Sequence, residues 1–498
     1  MTQPNPVIVG VAQYNPRCEG LAEAPEPIEM MARAARAAAE DAGAAGRLLK
    51  SLDALAVVSL LSFSYRNAPG ALAARLGIEP RTQLYTTIGG NTPQSLVNHI
   101  AAEIASGRMR VAMIAGAEAV YTVRHALKSG RLEWSDTSPD GTPTPFGDSR
   151  PGTNALEERY GAQWPVQIYP LFENARRVHH RWTLAAHRVE LGRMCAAMTR
   201  VAASNRYAWF AEPRSAEQIT TVSADNRMIC FPYPKLMNAV IDVDLAAAVI
   251  LAGEDEASRL GIARDRMVYI HAGADATEHG YFVSERENYF SSPAMKRAMA
   301  SALRLAGVAV DAIGYFDFYS CFPIAVGLAL DALGLKPDDP RGVTVTGGLP
   351  YAGGPGNNYV THSIAAMVEL LRKNPGKLGM VTALGWYFTK HAAAIYSTAP
   401  PRTPFARDDS DKSRPANLAA PVKVVEQAEG PATIETYTVV HDHAGAPQNA
   451  IVVGRLDTGQ RFFAGAPREI IAAMESEEFV GRRGRVRVVD GLNLFEPQ

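Results

Sequence analysis

One succession of parts occurs twice along this chain, and that repetition limits what it can become. The order is proline-headed helix, apolar strand, glycine turn, helix, apolar strand. In the first half a helix opens at Pro27 and stops before Gly43, with Ile28, Met31, Ala32, Ala35 and Ala39 at helical spacing. Residues 54–60 (ALAVVSL) read as a buried strand and residues 86–92 (TTIGGNT) as a glycine turn. A helix follows with Pro93 near its first position and Leu96, Val97, Ile100 and Ile104 on one face, then a strand at 111–115. In the second half a helix runs from Pro293 to about Gly307, strands fall at 313–318 and 378–384, and the turn lies at 347–358. A duplication of roughly 250 residues is far too long for a solenoid period. Strands alternating with helices call for parallel sheets covered on both faces. The pattern therefore predicts two α/β halves, residues 1–120 plus 237–262 and residues 263–400, with their glycine turns meeting at the interface. Ligand sites commonly lie in such interfaces.

Two regions stand outside the duplication. Residues 121–236 break the pattern and read as a loop-rich insertion carrying the basic cluster Arg176, Arg177, His179, His180 and Arg181, with Asn226 and Arg227 further on. Such a cluster suits either a phosphorylated ligand or a solvated helix face. After a charged, proline-rich linker at 401–420, residues 421–498 hold short strand-like runs (TIETYTVVHD, NAIVVGRL, RFFAGA, RVRVVDGL) and one helix near 467–476. This segment is expected to be a separate small β-barrel, OB-like in form.

Charge removes some function classes. Lys and Arg number 50 against 51 Asp and Glu, so no field draws the chain to nucleic acid or an anionic membrane. No apolar run is long enough to span a bilayer, and the first residues carry no signal-peptide pattern. Cys18, Cys195, Cys230 and Cys321 are scattered without disulfide or metal spacing, which suits a reducing, cytoplasmic setting.

The stretch TVTGGLPYAGGPGNNYVTH, residues 344–362, contains five glycines and leads into a helix ending near Leu371. Glycine lets backbone approach a ligand, and a helix amino end offers free N–H groups to an oxyanion. Taken with GGNTPQ in the first half, with AAAVILAGEDEASRLGI from Ala246 and with FDFYSCF at 316–322, residues 5–398 resemble the thiolase superfamily. The chain looks most like thiolase-like proteins of type 1, which append an extra C-terminal domain. That resemblance implies a layered α-β-α-β-α sandwich.

It also implies where catalysis would sit. The family's nucleophilic cysteine aligns with Gly90, its activating histidine with Gly354, and its second cysteine with Ala383 or Leu384. Covalent acyl transfer needs a thiolate and a base, so cysteine-dependent thiolysis is not expected. The family's oxyanion hole aligns with the amides of Gly90 and Gly385, and main-chain donors survive the loss of side chains. Tyr319 stands at the family's Asn or His position, where it is either a proton-transfer group or a core aromatic. His391, beyond the last glycine, is a second candidate for acid–base work or a structural histidine. Asn91, Asn357, Gly354 and Cys321 complete the expected ligand-binding set, with Cys321 also readable as inert packing. His362 is at most a pocket wall. The functional expectation is an acyl-CoA-binding protein acting at the carbon next to a thioester, with coenzyme A as part of the substrate and no tightly bound cofactor. Some relatives are steroid side-chain aldolases that have lost the cysteine. The alternative is a non-catalytic acyl-CoA binder or scaffold. A homodimer through the N-terminal half is also expected.

Overall fold

The computed structural model describes residues 3–21, 23–130, 132–413 and 420–498. β1 (Pro6–Tyr14) is buried along its whole length, as its apolar run requires. α1 (Pro27–Asp41) begins on a proline, whose missing N–H is harmless in a first turn. The first half continues through β2 (Ala54–Val57), α2 (Ala68–Leu76), β3 (Thr82–Thr86), α3 (Thr92–Ala105) and β4 (Val111–Ala119). The excursion that follows mixes long irregular stretches with β5 (Thr144–Phe146), α4 (Pro165–His179), α5 (Leu184–Ser204) and β6 (Met228–Cys230). β7 (Asp244–Gly253) then re-enters between β1 and β4, antiparallel to both.

The second half repeats these parts. β8 (Val268–Thr277), α6 (Pro293–Ala306), β9 (Ile313–Asp317), α7 (Pro323–Leu333), α8 (Tyr359–Lys373), β10 (Leu378–Gly385) and β11 (Lys390–Ser397) match β1, α1, β2, α2, α3, β4 and β7 in order. β12 (Ala406–Asp408) adds alongside β8. The strands run β9-β10-β11-β8-β1-β7-β4-β2-β3-β5, and the two half-sheets meet edge to edge where Val7 and Ile8 pair with Tyr269 and Val268. α3 and α8 lie between the half-sheets and touch strands of both, while α1 and α6 cover the outer faces. This is the layered α-β-α-β-α arrangement of the thiolase fold.

One counterpart is missing. The strand-like lead into the second glycine turn, residues 344–346, is not a strand. The carboxylate of Asp317 is fully buried and accepts from Thr344 Oγ1 (2.9 Å), the Val345 N–H (2.8 Å) and Ser363 Oγ (2.6 Å). A buried carboxylate must be hydrogen-bonded, and wrapping it takes this segment out of register with β9. The other half keeps β3, whose free edge is covered by β5.

The C-terminal sheet contains β13 (Gly430–His441), β14 (Pro447–Leu456), β15 (Arg461–Ala464), β16 (Arg483–Val489) and β17 (Leu492–Pro497), ordered β15-β14-β13-β16-β17. One expectation changes here. The helix near 467–476 is two short 3-10 turns, Arg468–Ile470 and Ala473–Glu475. Ile471 and Met474, three apart and both buried, need the i, i+3 alignment that a tighter coil gives. The segment has a buried cluster of its own, with Ile434, Tyr437, Phe462 and Phe495, and is also bonded to the rest of the chain. β6 pairs with β13 at Cys230 and Val440, Asn174 Nδ2 donates to the Tyr437 carbonyl at 2.9 Å, and Thr436 Oγ1 donates to the Leu171 carbonyl. Arg461, fully buried, donates to the Ser284 carbonyl at 3.0 Å and to that of Arg286, and pairs with Glu435. The expected linker is also tied down before residue 414. Arg407 pairs with Asp275 at 2.9 Å, and Asp411 accepts from the Thr277 N–H at 2.8 Å. Residues 414–419 of that linker lie outside the described residues.

Candidate functional site

The two glycine turns do meet. Asn357, from the second turn, accepts from the Gly89 N–H at 2.8 Å and donates to the Ser59 carbonyl at 3.0 Å and to Ser59 Oγ at 2.9 Å. Gly90 comes next, at the amino end of α3. A Cβ built there would stand 2.2 Å from the Tyr319 hydroxyl and 2.7 Å from the Leu384 carbonyl oxygen. Glycine is required at 90 for room. Gly385 is similarly crowded, since its Cβ would lie 2.0 Å from Asn91 Oδ1. Gly90, Asn91, Tyr319 and Gly385 thus form one cluster, with Asn357 bracing it from behind.

Tyr319 is buried, and its ring meets Tyr359 edge-on with centroids 5.8 Å apart. Burial holds its phenol well above the usual range, so it stays protonated at neutral pH. The group can donate a hydrogen bond or a proton. It is not a base.

Gly385 opens the hairpin between β10 and β11, and this turn is strained. Trp386 and Phe388 have φ of 56° and 60°, where a bulky residue costs about 1 kcal/mol or more. Their neighbours hold them there. Tyr169 donates its hydroxyl to the Trp386 carbonyl at 2.7 Å, and buried Arg286 donates to the carbonyls of Tyr387 (2.8 Å) and Phe388 (3.0 Å). Lys390, the first residue of β11, reaches back with Nζ to the carbonyls of Ile88 (3.0 Å) and Asp148 (3.2 Å), and burial pushes its amine down to about 8. Sequence reasoning passed over Arg286 and Lys390. Arg286 has no local signal, and Lys390 had only its place beside His391.

His391 is buried, with Nε2 3.0 Å from the Phe388 carbonyl oxygen and 3.1 Å from Ser292 Oγ, which itself donates to Glu278 at 2.6 Å. Burial drives its imidazole down to about 4, so it is neutral at physiological pH. With the Nε2 proton engaged by a carbonyl, it reads as an anchor under the hairpin.

Other expected residues lie apart from the cluster. Gly354 donates its N–H to the Val240 carbonyl at 2.8 Å and faces Val240 and Leu349. Cys321 is buried with its thiol pushed up to about 12, the state of a packing residue. His362 is a core group, bonded through Nδ1 to Gln13 Oε1 at 3.0 Å. The basic cluster divides: Arg176 and Arg177 are buried and paired, with Asp331 at 2.7 Å and with Glu478, while His179, His180 and Arg181 lie on the exposed face. Tyr319 fills the space in front of Gly90. A cavity of about 480 Å³ lies instead beyond Asn91 and Lys390, with polar walls that include Asp148, Arg150, Asp275 and Glu278. Neither Tyr319 nor Gly354 lines it.

Comparison with known proteins adds to this geometry. Residues 416–491 match the family described as the thiolase-like protein type 1 additional C-terminal domain. A solved structure of a monomeric SCP2-thiolase like protein type 1 from Mycobacterium smegmatis is 33% identical, with 99% of each chain covered and a TM-score of 0.84. An Ltp2-ChsH2(DUF35) aldolase matches at 18% identity over 80% of this chain and 98% of its own, with a TM-score of 0.61. An acetyl-CoA acetyltransferase from Syntrophomonas wolfei matches at 13% identity over 80% of this chain and all (100%) of its own, with a TM-score of 0.57. These last two share the fold alone. No curated protein matches.

Proposed function

Because the chain belongs to the thiolase-like protein type 1 family, we propose that it binds an acyl thioester such as an acyl-CoA. The reaction we assign to it lies at the carbon next to the thioester, making or breaking a C–C bond without a cysteine. The observation that carries this reading is the apposition of the Tyr319 hydroxyl and Gly90. Where the fold would seat a nucleophile at the head of α3, this chain presents a protonated phenol. A thioester enolate places negative charge on its oxygen. A donor already aimed at that oxygen stabilises the transition state more than the ground state, by several kcal/mol for a good donor. Water removes and returns the α-proton, while the phenol keeps its own proton and holds the enolate oxygen by a hydrogen bond. Coenzyme A enters as part of the substrate, with no resident cofactor. Four free thiols suit a reducing, cytoplasmic setting for this chemistry, and no described helix is long and apolar enough to cross a membrane. The reading favours a monomer over the expected homodimer, because β5 already occupies the β3 edge and carries Pro145, which has no N–H to offer another strand.

A second reading, binding without catalysis, is favoured by the tightness at Gly90, which leaves little room for a reacting carbon. One experiment separates the two. Propionyl-CoA is incubated with the protein in D2O and its α-proton signal is followed by NMR, alongside calorimetric titration. Catalysis requires exchange that falls at least about tenfold in Y319F. Saturable binding with no exchange leaves the binder; absence of both sinks the acyl-CoA assignment.

A further inference from the structure

The cavity beside the glycine cluster holds a group that the thioester reading leaves unused. Lys390 is 4% exposed and lines this cavity. Its Nζ donates to two main-chain carbonyls, those of Ile88 and Asp148, and among the described residues it forms no ion pair. The Asp148 carboxylate is close by but is held by Arg150, Oδ2 to Nη2 at 2.6 Å. A buried ammonium without a counter-ion is costly. A neutral amine suits the same place. It has two N–H groups for the two carbonyls, and its lone pair is left without a partner.

We propose that Lys390 is a nucleophilic amine and that this cavity admits a small aldehyde or ketone, which the amine captures as an imine. The nitrogen lone pair attacks the carbonyl carbon. The C=O bond is replaced by C=N, and both amine hydrogens leave with the carbonyl oxygen as one water molecule. No oxidant or further reactant is needed. A lysine becomes nucleophilic at neutral pH when it is desolvated, and burial does this here, outweighing the opposing pull of the Asp148 carboxylate, which Arg150 in the loop after β5 partly offsets. The remaining walls do not reverse the effect. His391 on the same strand is neutral, Asp275 of β8 is paired with Arg407 of β12, and Glu278 is engaged by Ser292. Burial lowers the amine to about 8, in line with this geometry. The volume, about 480 Å³, suits a small molecule. The site adjoins the Gly90 cluster through Asn91, but Tyr319, the group assigned to the thioester chemistry, does not line the cavity.

The test uses the intact protein with acetaldehyde and sodium cyanoborohydride, which reduces an imine to a stable secondary amine. Peptide mass mapping then gives the modification rate at each lysine. Lys390 is expected to react at least roughly tenfold faster near neutral pH than exposed Lys50 and Lys296, with a rate that levels off near pH 8. K390R, checked for folding by circular dichroism, is expected to lose that fast adduct while the slow ones persist. Lys390 reacting no faster than the exposed lysines, or a fast adduct that survives in K390R, would overturn the proposal.

Discussion

At the scale of single residues, the site is defined by what cannot be added to it. Gly90 has an ordinary negative φ, so its need for glycine comes from the Tyr319 hydroxyl and the Leu384 carbonyl alone. G90A is therefore expected to destabilise by about 1–3 kcal/mol in denaturant titration, as overpacking does. In a Y319F background the nearer obstacle is gone and the loss should shrink without vanishing. Equal losses in both backgrounds would remove Tyr319 from its assigned place. His391 supplies a test with pH. Its imidazole is ordinary in the unfolded chain and near 4 in the folded one. Above pH 6.5 both states are neutral; as pH falls toward 4 only the unfolded chain takes the proton, so stability falls by up to about 1.4 kcal/mol per pH unit. Buried Glu118 and Glu157, raised by burial to about 7, act the other way, being protonated in the folded state first. The comparison with H391Q cancels those terms, and the variant should lose acid sensitivity between pH 6.5 and 4. A parallel pH profile would exclude the buried, neutral imidazole. The glycine turn at 89–90 was legible in the sequence because a motif surrounds it, whereas Gly354, expected in the same ligand-binding set, lies apart from it. Lys390 and Arg286 were not legible, because their roles depend on carbonyls far away in the chain, 302 residues away in the case of Ile88.

At the scale of elements, the β10–β11 hairpin is where strain and function coincide. Two left-handed aromatic residues are held by Tyr169 and Arg286. Y169F removes one of these holds and leaves the ring stack on Phe322 intact (centroids 4.5 Å apart). It is expected to cost about 1 kcal/mol and, more tellingly, to raise hydrogen exchange at residues 385–391 before the rest of the sheet. Uniform exchange across the sheet would mean that the hairpin opens only with global unfolding. The duplication was readable because proline heads and glycine turns punctuate both halves alike. Its one lapse, the missing partner of β3, was not readable, since TVTGG has strand-forming residues and only the buried Asp317 carboxylate bends it away. The run of residues 467–476 misled for a related reason: apolar spacing of three suits a 3-10 turn as well as an α-helix.

At the scale of the whole molecule, the C-terminal sheet has a buried cluster of its own and also shares one with the rest of the chain. Ile451, Val453 and Phe463 belong to the same buried cluster as the strands of the second half. Ending the chain at residue 420 should therefore abolish cooperative thermal unfolding of the remainder. A truncated chain that melts like the intact one would restore the picture of a detachable domain. R461M is the single-residue form of this experiment, with an expected loss of about 3–5 kcal/mol for removing one member of a buried charged network.

The Arg461 contact also sets an order of events during protein synthesis. Arg286 braces the strained hairpin, and the Arg286 carbonyl is in turn held by Arg461. On the ribosome, Arg461 is added about 70 residues after Phe388, a delay of roughly 4–14 s at usual elongation rates. Throughout that interval the hairpin exists without its last brace, open to proteases and to wrong partners. A premature stop in the final stretch of the reading frame should thus behave as a null allele, although every residue of the Gly90 cluster has already been translated.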